Sequence, residues 1–358
     1  MTTAIILGTR PEIIKIAPVI RELKRQNIEF FILHTGQHYS YNMDRIFFKQ
    51  LKLPQPKYNL HVGSGTHAQQ TAKMLIGIEK ILLKEKPNIV LVQGDTNSTL
   101  AGALAAAKIH IPIGHIEAGL RSHDKEMPEE INRILTDHLS DHLFAPTQKA
   151  KQNLLNEGIP KEKIHITGNT IVDAVYQHLK LAKSNDILEK LELKPNEYML
   201  LTLHRQENVD REQRLRNILK GIELVAKEFE TKIIYPIHPR TQRRIEEFNI
   251  KVPKEIHLIP PLDYLSFLKL EANAQLILTD SGGVQEEACI LKVLCVTLRY
   301  NTERPETIEV GANTLAGTNP QTILQKTKEM INKKRNWKNP LGDGKAAQRI
   351  VNIINQTQ

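Results

Sequence analysis

Short β-branched and aliphatic runs recur along the chain, each followed by about ten to twenty residues whose apolar positions return at helical spacing. This is the pattern of consecutive βαβ units, so the chain is expected to be an α/β protein with parallel sheets. Strands are predicted at 4–7, 30–34, 89–93, 113–115, 142–145 and 164–167. A second series is predicted at 198–203, 232–236, 256–259, 276–279, 294–298 and 313–315. Between the series, 170–195 begins with helical spacing and continues rich in Lys, Asn and Glu without an apolar strand, which reads as an interdomain connection. After the turn Asn339-Pro340-Leu341-Gly342-Asp343-Gly344, residues 344–354 read as an amphipathic helix that could pack on either domain.

Length agrees with this division: 358 residues suit two domains, each able to bury its own core, with a cleft between them. The 40% hydrophobic and 25% charged composition is that of a globular protein, and no apolar run approaches membrane-spanning length. The N-terminal run enters a strand without a basic leader, which leads to the expectation of a cytoplasmic protein. Cys289 and Cys295 lie in apolar surroundings and read as reduced core residues; no Cys/His cluster has metal-ligand spacing, so no metal is expected. A net charge of +9 fits either nucleic acid or small polyanions. Lys333-Lys334-Arg335 reads as a solvated face, and 5% aromatic residues leave few stacking platforms, so small polyanions are favoured over nucleic acid.

Open parallel sheets bind ligands at the carboxyl ends of their strands, so the polar residues directly after each apolar run are the candidates. Gly8-Thr9-Arg10-Pro11-Glu12 ends the first strand; a helix N-terminus there, with Arg10 and Lys15, could receive an anion or be a tight turn with two surface cations. Asp95 follows the strand at 89–93 and is either a helix cap or a functional acid. Glu117 follows the strand at 113–115 beside Gly119, placed to act as acid or base or to sit in a buried salt bridge. Glu129 and Arg133 stand four apart on one helix face, a pair that by itself means only helix support.

In the second half, His204 and His238 end equivalent strands, where imidazoles can move protons or donate to phosphate. Ser281-Gly282-Gly283 lies between a strand and a helix, where a hydroxyl and bare N–H groups can cradle a diphosphate. Glu287, one turn beyond Gly283, could meet ribose hydroxyls. Arg299 and Arg304 bring two guanidinium groups for phosphate or for interdomain pairing. GxGxxG and GxxxxGK[ST] are both missing from the sequence, which removes the main support for nicotinamide, flavin or ATP hydrolysis.

With GTRPEIIKIAP, GDTNSTLAGALAA, HIEAGLR, PEEINR, ITGNTIVDA, HRQENVD, YPIHPR, LTDSGGVQEEA and NTERPE in this order, the sequence resembles the non-hydrolysing UDP-N-acetylglucosamine 2-epimerases along nearly its whole length, most of all their archaeal branch. The resemblance implies two Rossmann-like domains of the GT-B glycosyltransferase type, with the active site in the interdomain cleft and the last helix crossing back. The expected domains are 1–168 with 343–358, and 169–342. It also implies a homodimer, a UDP-sugar as the bound partner, and no cofactor.

By motif matching, Arg10, Lys15, Asp95, Glu117, Glu129, Arg133 and His204 should line the reaction site, with Asp95, Glu117 and Glu129 as the acid/base set. Ser281, Gly282, Gly283, Glu287 and Arg304 should hold UDP, and Leu262 and Phe267 stand where the family contacts uracil. The implied chemistry is inversion at C2 of the sugar, by elimination of UDP to 2-acetamidoglucal and its re-addition. The alternatives are a hydrolysing 2-epimerase, a 2-epimerase of a diacetamido-uronic acid nucleotide and, more remotely, a GT-B glycosyltransferase. Two positions depart from the bacterial pattern. Gln206 replaces the second Arg of HRREN, near residues that help bind an allosteric substrate molecule, and Leu291-Lys292-Val293-Leu294 replaces a Leu-Gly-Lys-Pro turn.

Overall fold

Runs of aliphatic residues become central parallel strands here because the intervening amphipathic segments return the chain across the sheet as helices. The computed structural model describes residues 2–36 and 41–356. The chain divides into two compact units, Met1–Gln177 with Leu341–Gln358, and His178–Pro340.

The first unit contains β1 (Thr2–Leu7), β2 (Glu29–His34), β3 (Tyr58–Asn59), β4 (Ile89–Gln93), β5 (Ile113–Ile116), β6 (His142–Ala145) and β7 (Ile164–Ile166). All pair in parallel, in the order β3-β2-β1-β4-β5-β6-β7. The second unit contains β8 (Tyr198–Thr202), β9 (Lys232–Pro236), β10 (Ile256–Ile259), β11 (Leu276–Thr279), β12 (Cys295–Thr297) and β13 (Asn313–Leu315), in the parallel order β10-β9-β8-β11-β12-β13. Both orders are Rossmann-like, reversing between β1 and β4 and between β8 and β11, where an open parallel sheet parts to admit a ligand.

The cores follow the pattern read from the sequence. Ala4, Ile6, Val90 and Val92 pack on Ala101 and Ala105 of the helix Asn97–Lys108, whose small side chains allow close approach to the sheet. Met199, Leu201, Ile233, Leu278 and Val296 pack on Ile218, Ile222 and Val225 of the helix Glu212–Glu228. Burying each such aliphatic side chain stabilises the fold by about 1.5–3 kcal/mol before the ordering entropy is counted. Cys289 and Cys295 are free and buried, and burial pushes the Cys289 thiol up to about 11.

The segment that reads as a connection is more structured than its polarity suggests. The helix Thr170–Leu181 starts at the expected boundary, and Ile187, Leu188 and Leu193 then bury themselves in the second unit's core. The last helix, Ala346–Gln356, belongs to the first unit and buries Ala346, Ala347, Ile350, Val351 and Ile354 at helical spacing. Its first turn is held by Asp173, whose carboxylate accepts from the N–H groups of Ala346 and Ala347 at 3.1 and 3.0 Å. Among the described residues, no helix is long and apolar enough to cross a membrane.

Candidate active site

In the first unit the loops after β1, β4 and β5 are tied together by buried side chains. β1 ends at Gly8, where a Cβ would lie 2.1 Å from both Ser98 Oγ and Thr35 Oγ1, so the loop closes against those hydroxyls only with glycine. Glu12, 3% exposed, folds back over the start of the helix Arg10–Arg25 and accepts from the Gly8 and Thr9 N–H groups at 2.9 and 2.7 Å. Its carboxyl also accepts from the hydroxyls of Thr9, Thr96 and Thr99, which joins the loop after β1 to that after β4. Burial pushes this carboxyl up, with the hydrogen bonds pulling against it. Two N–H groups that the sequence seemed to offer an anion are therefore already used by Glu12. Arg10 is half-buried, with its guanidinium 5.3 Å from the centre of the Phe47 ring.

Lys15, on the same helix, places Nζ 2.6 and 2.8 Å from the two carboxylate oxygens of Glu117. Gln93, the last residue of β4, donates Nε2 to Glu117 Oε2 at 2.6 Å. Glu117 is 8% exposed and its backbone has φ +73°, the left-handed region, which costs a non-glycine residue about 1–2 kcal/mol. Strain of this kind persists where the surroundings over-determine it, and it aims the carboxylate at the end of β4. A Cβ on Gly94 would stand 3.8 Å from Glu117 Oε2, so the two turns lie side by side.

Asp95 follows Gly94 with its side chain 33% exposed. One carboxylate oxygen pairs with Arg133 Nη2, and its carbonyl accepts from Asn132 Nδ2 at 3.0 Å. Arg133 is buried and also donates Nη1 to Glu130 at 2.7 Å. Glu130, not Glu129, is thus the acid beside Arg133; it is 1% exposed and also accepts from Ser122 N, Ser122 Oγ and His123 N. These bonds outweigh burial and hold the Glu130 carboxyl below its ordinary range. Glu129 stands exposed on the first turn of the helix Pro128–Leu139. Lys15, Asp95, Glu117 and Arg133 are therefore brought together, and Glu129 is exposed beside Glu130 in the first turn of the helix that carries Arg133.

The second unit repeats the arrangement with different chemistry. Asp280, fully buried after β11, accepts from the backbone N–H groups of His204 and Arg205 and from Asn208 Nδ2, which fixes the loop after β8. His204 Nδ1 lies 3.1 Å from Asp280 Oδ1, and the His204 and His238 ring centres are 5.6 Å apart. His238 Nδ1 accepts from Arg240 N, and burial, then the neighbouring His204 and Arg240, hold its imidazole below the ordinary range.

Ser281 caps the helix Gly282–Leu291. A Cβ on Gly282 or Gly283 would meet nothing nearer than 3.7 Å, and the atoms at that range are Glu303 Oε2, Arg205 Nη2 and Ser281 Oγ. The two glycines therefore leave open space over a helix N-terminus, bordered by a guanidinium, a setting suited to a diphosphate. Glu287 is buried and accepts from Tyr264 Oη at 3.0 Å. Arg304 Nε lies 2.6 Å from Glu286 Oε1, and Arg299 forks onto Glu303 at 2.8 and 3.0 Å. Burial opposes charge on Glu303, but the Arg299 bonds and the nearby Arg205 prevail and hold its carboxyl at about 2. Leu262 and Phe267 are half-buried against the core.

Among the described residues no group of three or more His, Cys, Asp or Glu could hold a metal ion. A family model described as UDP-N-acetylglucosamine 2-epimerase matches residues 21–355. The chain belongs to that family. It is 60% identical over 361 residues to the UDP-N-acetylglucosamine 2-epimerase of Methanocaldococcus jannaschii, covering 99% of each chain. The crystal structure of that enzyme with UDP-GlcNAc and UDP superposes with a TM-score of 0.92, covering 99% of this chain and 100% of that one. A UDP-2,3-diacetamido-2,3-dideoxy-D-glucuronate 2-epimerase of Pseudomonas aeruginosa is 43% identical, with 98% of each chain covered.

Within this 2-epimerase framework, Glu12, Glu130, Arg205 and Asp280 are residues of the two clusters that sequence reasoning did not single out. Asp280 and Arg205 follow β11 and β8, and position after a strand was the available signal. That Glu130, and not Glu129, pairs with Arg133 follows from the helix phase relative to the sheet, which the sequence does not carry.

Proposed function

We propose that the chain interconverts UDP-N-acetylglucosamine and UDP-N-acetylmannosamine. The first unit's carboxylates act on the sugar, and the second unit's Ser281-Gly282-Gly283 turn holds the diphosphate. A base removes the C2 proton and the C1–oxygen bond breaks, so UDP leaves with the bonding pair and 2-acetamidoglucal forms. An acid then returns a proton to the other face of C2, and the UDP oxygen re-adds at C1. Asp95, Glu117 and Glu129 are the acid/base set, joined by Arg10, Lys15, Arg133 and His204; His238, Arg304 and Glu287 serve the nucleotide, and Leu262 and Phe267 the uracil.

The observation that carries this reading is the pairing of Lys15 with Glu117 and of Arg133 with Asp95 at adjoining strand ends. Two carboxylates held beside cations, one of them on a strained turn, suit proton transfer at one carbon. Full-length identity of 60% to a UDP-N-acetylglucosamine 2-epimerase favours that substrate over the diacetamido-uronic acid nucleotide, whose enzyme is 43% identical. Supplying each nucleotide sugar and identifying products by NMR decides. Turnover of the uronic acid nucleotide alone would replace the substrate, and free N-acetylmannosamine as main product would make the enzyme hydrolytic.

A homodimer working in the cytoplasm completes the proposal. Ile76 and Leu83 on the helix His67–Glu85 and Ile131 and Leu135 on the helix Pro128–Leu139 are 69%, 55%, 48% and 47% exposed. Both helices pack beside the thin, alanine-rich helix Asn97–Lys108, so these side chains present an apolar face that a second copy could cover.

A further inference from the structure

We infer that His115 and Asp137 are a positioning pair, in which a doubly protonated His115 pins the Gly94 carbonyl and locks the Asp95 turn to the Glu117 turn. This rests on the reading that Asp95 and Glu117 face the sugar. His115 is fully buried at the end of β5, its Nδ1 2.6 Å from Asp137 Oδ1 and its Nε2 2.8 Å from the Gly94 carbonyl oxygen. A carboxylate and a carbonyl both only accept, so each ring nitrogen must donate, which requires the imidazolium. Asp137, 1% exposed, supplies the countercharge.

The second oxygen of Asp137 accepts from Gly119 N at 3.1 Å and lies 2.8 Å from Arg121 Nη2, which also pairs with Glu157 at 2.6 Å. One buried carboxylate thus holds both turns, directly at Gly119 and through His115 at Gly94. Gly94, Glu117 and Gly119 have φ of +76°, +73° and +82°. Backbone bonds from Gly94 N to Ile116 O and from Glu117 N and Ala118 N to Phe144 O carry the ladder only to the start of each turn, and past that point the His115 and Asp137 side-chain tethers add to them in setting the direction of Asp95 and Glu117. The formal charges of His115, Arg121, Asp137 and Glu157 cancel, which lets an imidazolium persist in this interior. His115 has no exposed surface, so it acts through the turns and not on substrate.

Nitrogen-15 NMR of the histidine rings in the unliganded full-length protein tests the charge. Near neutral pH, His115 should show two N–H signals, and Asp137→Asn should leave only the Nε2–H tautomer. A neutral His115 in the unsubstituted protein overturns the inference, whatever the enzyme's substrate proves to be. In the second arm, His115→Leu should lower kcat by about 100-fold, the scale of a displaced catalytic group, with KM and UDP affinity within about 3-fold. His115→Gln, which can still donate an amide N–H to Gly94, should recover part of kcat. Unchanged kcat in a folded His115→Leu protein, or equal loss in both variants together with UDP binding, overturns the positioning role.

Discussion

Lys15 grips both carboxylate oxygens of Glu117, a residue 102 positions away in sequence, and does so with side-chain exposures of only 14% and 5%. Removing one partner of so buried a pair leaves the other's charge without its counterion, although Gln93 still donates to Glu117. Lys15→Met should lower stability on the order of 3 kcal/mol, with Glu117→Gln milder because the amide oxygen still accepts from Lys15. Urea unfolding of the singles and the double variant gives the coupling; additive effects would show that the pair is not formed.

Gly283→Ala separates folding from nucleotide binding. A methyl group there meets no atom closer than Ser281 Oγ at 3.9 Å, and alanine favours a helix over glycine by up to about 1 kcal/mol. Thermal stability should hold or rise, and UDP affinity measured by calorimetry should fall about 10-fold or more because the methyl occupies the diphosphate's approach. Unchanged affinity would place the phosphates elsewhere.

Acid should weaken the second unit through Glu303. Its carboxyl titrates at about 2 in the folded chain, below the ordinary 4.5, so the folded state binds its proton less readily than the unfolded state does. The stabilisation it contributes is present above about pH 4.5 and is lost as pH falls toward about 2. Glu303→Gln should flatten the dependence of Tm on pH in that window, and an unaltered slope would show that Arg299 does not hold the charge.

Asp173 should anchor the C-terminal helix. Asp173→Ala leaves the N–H groups of Ala346 and Ala347 without their acceptor, at a cost of about 1–2 kcal/mol. Hydrogen exchange should accelerate first in the helix Ala346–Gln356; uniform acceleration across the chain would contradict a local anchor.

Ile131→Asp combined with Leu135→Lys should yield monomers by light scattering if the exposed apolar face pairs two copies. A monomer in the unsubstituted protein would dispose of the dimer.

Strand positions were legible because parallel strands buried on both faces must be nearly continuous apolar runs, and all twelve predicted strands are present. β3 escaped notice because Tyr58–Asn59 is only two residues long at a sheet edge. Residues 182–195 looked like a polar linker because Ile187, Leu188 and Leu193 are spaced too sparsely to announce a core contribution. The strand-end rule located both clusters but not how their charges are shared. Glu12 taking the N–H groups of Gly8 and Thr9, and Glu130 displacing Glu129 at Arg133, depend on helix phase and packing.

Proton exchange at C2 of a UDP-sugar with the nucleotide retained is read directly by NMR of UDP-N-acetylglucosamine incubated with the enzyme in deuterated water. UDP-N-acetylmannosamine and recovered substrate should both carry deuterium at C2. Substituting Asp95 or Glu117 by the amide should abolish the exchange and leave UDP binding largely intact. Epimerisation without deuterium at C2, or no turnover of any UDP-sugar, would contradict exchange at C2.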